Sequence, residues 1–118
     1  MNIIMETIPH KRMRYDTLGD WMETESGLLI QVSDRCNKDF KTDKGESQCK
    51  VHELIEAILC LDRGITAKVV DKFDFKFKGK GEPGDDPKAP YGKEHRFAMI
   101  MEHMLAHERG IRPYGRVE

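Results

Sequence analysis

The sequence predicts an α+β fold: an N-terminal β-hairpin or small antiparallel sheet packed on about three helices. Three observations carry this. Apolar residues alternate with period two near the N-terminus, two later stretches repeat apolar residues at helical spacing and end in glycine, and a Gly/Pro-rich loop separates those stretches. With 118 residues the chain is expected to be a single domain with one core, β-rich over 1–35 and helical over 47–109.

Taken in order, Met13 to Trp21 and Gly27 to Val32 flank a polar turn at Glu23 to Gly27, and Leu28, Ile30 and Val32 alternate with Leu29 and Gln31. A hairpin is the simplest outcome. Cys36 to Gln48 is polar and patternless, so residues 36–46 are left open between a loop and the entry to a helix. From Ser47 to Arg63, Val51, Leu54, Ile55, Ile58 and Leu61 recur at helical spacing, Ser47 is placed to cap the start, and Gly64 to stop the helix. Thr66 is placed to cap a second helix through Val69, Val70 and Phe73, although FDFKF alternates with period two and points to extended structure near Asp74. Residues 78–92, KGKGEPGDDPKAPYG, hold four glycines and three prolines and form a shaped loop. A third helix runs from Gly92 to Arg109, stopped by Gly110, with Phe97, Ile100, Met101, Met104 and Leu105 as its apolar face.

Composition excludes several functions. Charged residues make up 35% of the chain with a net charge of −1, which disfavours nucleic acid as the main partner. Cys36, Cys49 and Cys60 are odd in number and lack a CxxC pair, as expected of reduced cytoplasmic thiols. No stretch approaches the roughly 18 apolar residues that cross a bilayer, so a soluble chain without a secretion signal or membrane partner is expected. The cysteines also lack the context of a catalytic nucleophile.

The chemistry-bearing pattern is a His/carboxylate pair that occurs twice, His52 with Glu56 and His95 with Glu102, each on one helix stripe. Projection at about 100° per residue puts both pairs on the flank of an apolar stripe. Antiparallel packing of the two helices through those stripes would converge the four side chains. Imidazole mixed with carboxylate suits zinc, manganese, iron or nickel. His52, Glu56 and His95 are therefore the expected metal ligands, leaving a position for water, and Glu53 or Glu102 the candidate catalytic bases of a hydrolase. The competing reading is that border His and Glu residues are solvated edges of ordinary amphipathic helices. His103 and His107 repeat the four-residue spacing and are expected to be exposed, while the loop is expected to bring Asp85 and Asp86 over the site.

HELIE resembles the zincin helix motif HExxH, with Glu56 in place of the second histidine; the likeness covers five residues. Glu53 and Glu56 followed by Asp71 and Asp74 resemble the ExxE and ExxD signature of MazG-like nucleotide pyrophosphohydrolases, which implies magnesium held by carboxylates. There, Asp71 stands where that family has Glu, and the glycines after Asp74 interrupt the helix the family continues. Over residues 14 to 114, WMETESGLLIQVSD, HELIEAILC, GITAKVVDKFD and GEPGDDPKAPYGKEHRFAMIMEHMLA resemble a group of small proteins from phages and related bacterial genomes. That resemblance implies a phage origin and the infected cell's cytoplasm, and no activity. A third alternative is a non-catalytic interaction protein whose Met99, Met101 and Met104 form part of a partner or homo-oligomer surface.

Overall fold

The computed structural model describes residues 1–111. The N-terminal alternation folds into the expected hairpin. β2 (Gly19–Thr24) pairs antiparallel with β3 (Gly27–Ser33) around a turn at Glu25 and Ser26. Leu28, Ile30 and Val32 are buried on one face of β3, and Leu29 and Gln31 are half-buried on the other.

Two details differ from expectation. The first hairpin strand begins at Gly19 rather than Met13. Arg14 instead pairs with Asp20 and Asp71 at 2.8 and 2.9 Å, and the Tyr15 hydroxyl donates to Asp71 at 2.6 Å. Additionally, β1 (Asn2–Ile8) pairs parallel with β3, so the sheet is mixed and its order is β1-β3-β2. Most of β1 is exposed, so no apolar-in, polar-out alternation marks it in the sequence.

The open segment 36–46 contains a short helix, α1 (Cys36–Phe40), and a tight turn through Lys41, which is left-handed at φ 56°. α2 spans Gly45–Asp62 and starts two residues before Ser47. The Asn37 side chain replaces the expected serine cap by accepting from the Glu46 N–H at 2.8 Å. Ser47 instead donates to the Lys44 carbonyl and accepts from Arg109. Thr66 caps α3 (Ala67–Lys76) as expected, and the ambiguous FDFK stretch is helical, with extended backbone beginning at Phe77. α4 runs Gly92–Glu108. Gly64 and Gly110 close α2 and α4 in the same way: each has positive φ, and the following N–H, of Ile65 and Ile111, bonds back to Cys60 and Ala106.

α2 and α4 pack antiparallel. Ser47 and Gln48 bond Arg109 at one end, and Arg63 bonds Glu94 at the other. The helices are rotated relative to expectation, however. On α2 the expected core stripe is half-buried at Val51, Leu54, Ile55 and Leu61 and exposed at Ile58, whereas His52, Glu53, Glu56, Ala57 and Cys60 are buried. On α4, Phe97, Ile100 and Met104 are 47%, 58% and 59% exposed, while His95, Ala98, Glu102 and Ala106 are buried. The buried faces carry the small residues Ala57, Cys60, Ala98 and Ala106, and His52, Glu56, His95 and Glu102 among them pair with one another. The apolar core lies beneath the sheet, where Trp21, Leu28 and Ile30 meet Ala57, Cys60, Val70 and Tyr91. His107 is exposed as expected, but His103 is half-buried. Among the described residues, no helix is long and apolar enough to cross a membrane.

Candidate metal centre

α2 presents His52, Glu53 and Glu56 toward the sheet and α4, because four-residue spacing keeps His52 and Glu56 on one stripe and Glu53 follows alongside. α4 presents His95 and Glu102 from the facing side. The antiparallel packing brings the His52 and His95 ring centroids to 5.1 Å, as the paired His/carboxylate pattern anticipates. One ligand atom each from His52, Glu56 and His95 lies within 4.8 Å of the others, all three residues are buried, and the group can hold a metal ion.

The polar contacts form a chain. Glu56 Oε2 lies 3.2 Å from His52 Nε2 and 3.0 Å from His95 Nδ1. The remote nitrogens face two further carboxylates: His52 Nδ1 is 2.7 Å from Glu102 Oε1, and His95 Nε2 is 3.0 Å from Asp85 Oδ1. Every imidazole nitrogen of the pair thus faces a carboxylate oxygen. A neutral imidazole carries one N–H and can donate to only one of its two carboxylates. Its other nitrogen directs a lone pair at an anionic oxygen unless a proton or a cation lies between them.

The two candidate bases occupy different places. Glu53 lines the site pocket, with Oε2 3.9 Å from His52 Nε2. Glu102 is fully buried behind His52 and does not line that pocket. Burial would raise the Glu56 carboxyl, but hydrogen bonds from His52 and His95 outweigh it and hold Glu56 at about 2. Asp74, on the pocket wall, moves the other way. Burial, reinforced by Glu56, Asp20 and Asp71, pushes it up to about 7 against the hydrogen bond it accepts from the Tyr91 hydroxyl. Burial raises the Cys60 thiol to about 12, consistent with an inert core cysteine.

Two glycines to which the His/carboxylate spacing does not point shape the site. A Cβ at Gly19 of β2 would lie 2.6 Å from Glu53 Oε2, and one at Gly84 would lie 2.6 Å from His95 Cγ. Gly84 and Asp85 belong to a 3₁₀ turn at Pro83–Asp85, so the Gly/Pro loop both packs on His95 and bonds it. Asp85 therefore reaches the site as expected, whereas Asp86 accepts from the Lys88 N–H within the loop. The glycine spacing of GEPGDD was the available signal for this contact. Of the acidic quartet read as ExxE and DxxD, Glu53, Glu56 and Asp74 line the pocket; Asp71 is held by Arg14 and Tyr15. A cleft of about 540 Å³, walled by His10, Tyr15, Arg35 and Phe77, shares Thr17, Asp74, Glu82 and Pro83 with the pocket.

No family model, curated protein or solved structure matches this chain.

Proposed function

We propose that this protein is a metal-dependent hydrolase with a divalent transition metal held by His52, Glu56 and His95. The observation that carries the proposal is the sharing of Glu56 Oε2 by the two imidazoles, each with a second carboxylate on its remote nitrogen. A cation at the centre gives all four nitrogens a role. His52 Nε2 and His95 Nδ1 would hold it, leaving the remote N–H groups to donate to Glu102 and Asp85. Glu53, Glu56 and Glu102 are all buried, and a divalent ion offsets carboxylates that two imidazolium groups would not fully neutralise.

The metal would lower the pKa of a bound water to near neutrality. Glu53, the pocket-lining glutamate beside His52, would be the general base for that water. Glu102, out of reach of the pocket, fixes the orientation of His52, and Asp85 does the same for His95. The adjoining cleft admits the substrate. In the phage setting that the sequence resembles, the compartment of action is the infected cell's cytoplasm.

Elemental analysis of tag-free protein is the first test. Near-stoichiometric transition metal in the wild type, lost in both His52→Ala and His95→Ala, is the expected result. Glu53→Gln should then retain metal while losing about 10²-fold or more of whichever peptidase or phosphoesterase activity the wild type shows. A folded wild type that takes up no metal after reconstitution would reject the proposal. The magnesium alternative uses the pocket carboxylates Glu53, Glu56 and Asp74; pyrophosphate release from nucleotides that survives His95→Ala would replace the transition-metal reading with it.

A further inference from the structure

α4 buries its polar and small-residue face and turns its apolar face to solvent. At about 100° per residue, Lys93, Phe97, Ile100, Met104 and Glu108 fall on one stripe opposite the buried His95, Ala98, Glu102 and Ala106. All five stripe residues are exposed. The three apolar ones include the large, adaptable Phe97 and Met104, and a contiguous run of this kind marks an interaction surface more often than a solvated face.

The order of the stripe identifies its occupant. It runs basic, aromatic, aliphatic, thioether, acidic, and in an antiparallel pairing with itself each end meets its complement. Lys93 faces Glu108, Phe97 faces Met104, and Ile100 faces Met101, which is half-buried at the stripe's edge. All three pairings occur in one register. Lys93 and Glu108 make no ion pair within the chain among the described residues. The stripe is about 22 Å long, which places the contact at the small end of interface sizes.

We infer that a second copy of this chain covers the stripe, forming an antiparallel α4–α4 dimer. Its two-fold axis passes between Ile100 and Met101, and Lys93 of each chain faces the partner's Glu108. The contact is isologous, as two-fold symmetry requires, and lies opposite the face that carries His95 and Glu102. It does not depend on metal binding or hydrolysis.

The test is sedimentation equilibrium of the full chain across the micromolar range. The wild type should dimerise, and Ile100→Glu should weaken dimerisation about 100-fold or more with metal content and circular dichroism unchanged. Lys93→Glu and Glu108→Lys should each weaken self-association about tenfold by placing like charges together. Mixed with each other, those two variants should form a heterodimer at least as tight as the wild-type dimer, because one stripe is then acidic at both ends and the other basic at both. A wild type that is monomeric throughout would overturn the inference. So would a dimer indifferent to Ile100→Glu but dissociated by Met5→Lys, which would place the contact on the outer edge of β1. A dimer that depends on Ile100 while the charge variants form no heterodimer would overturn the antiparallel register.

Discussion

β3 and α4 are both amphipathic, and they orient their two faces in opposite ways. In β3 the apolar residues Leu28, Ile30 and Val32 are buried. In α4 the apolar Phe97, Ile100 and Met104 face outward, and His95, Glu102 and two alanines face inward. Desolvation explains the first without further help, since hiding an apolar side chain stabilises by about 1.5–3 kcal/mol. The second is tolerated because the buried polar atoms meet opposite numbers: Glu102 meets His52, Asp85 meets His95, and Gln48 Nε2 donates to the Glu102 carbonyl. An amphipathic pattern therefore identifies two faces, and the availability of partners decides which one is buried.

The largest predicted effect tests whether the inward polar face of α4 is held by mutual satisfaction. Glu102→Ala leaves His52 Nδ1 without its carboxylate in a fully buried position and should cost about 3–5 kcal/mol in urea unfolding. Glu102→Gln, which keeps an acceptor oxygen for the imidazole N–H, should cost clearly less. Equal losses in the two variants would mean that packing rather than the polar contact holds this face.

Next in size is a direct contrast between the two regions. Ile30→Ala, in a fully buried site, should destabilise by about 2–5 kcal/mol. Ile100→Ala, measured at concentrations too low for dimerisation, should stay within about 0.5 kcal/mol. A large loss at Ile100 in the monomer would show that the stripe is covered within the chain.

Gly84→Ala sharpens the contrast at the site, where the inward face of α4 meets the loop. The added Cβ must displace the buried His95 ring or the loop, with an expected cost of about 1–3 kcal/mol. Metal affinity, followed by competition with a chelator, should fall about 10- to 100-fold as the ring loses its orientation. Unchanged affinity would separate the loop from the proposed metal site.

The last contrast is a pH slope. Asp74 has a folded-state pKa of about 7 against an ordinary 3.8, so ionising it costs more in the folded protein than in the unfolded chain. Stability of metal-free protein should therefore fall as pH rises from about 4 to about 7, and should be regained on acidification through the same window. Asp74→Asn should remove that component of the slope, as read by thermal unfolding across the window. A variant with the wild-type slope would assign the titration elsewhere.

The legible part of the structure follows from local rules. Thr66 caps α3 because its hydroxyl accepts from the Val69 N–H, and Gly64 and Gly110 end their helices because the backbone there has positive φ. The hairpin was readable in Leu28, Ile30 and Val32, and the His52, Glu56 and His95 cluster in the spacing of His52 and Glu56 together with His95. β1 was not readable as a strand because its exposed residues carry no facial pattern. Nor was the Asn37 cap of α2, which comes from a different helix.

By itself, then, the sequence determined where the main helices and the second hairpin strand lie, and which residues share a stripe, the two imidazoles and their acidic companions among them. These are local properties, set by backbone geometry and residue spacing within a few turns. Only the tertiary structure decided that those stripes point inward, that Glu53 opens on the pocket while Glu102 lies behind His52, and that the loop reaches His95 through Gly84 and Asp85. Each of those outcomes depends on partners distant in sequence, whose desolvation and pairing energies appear only when the chain has brought them into contact.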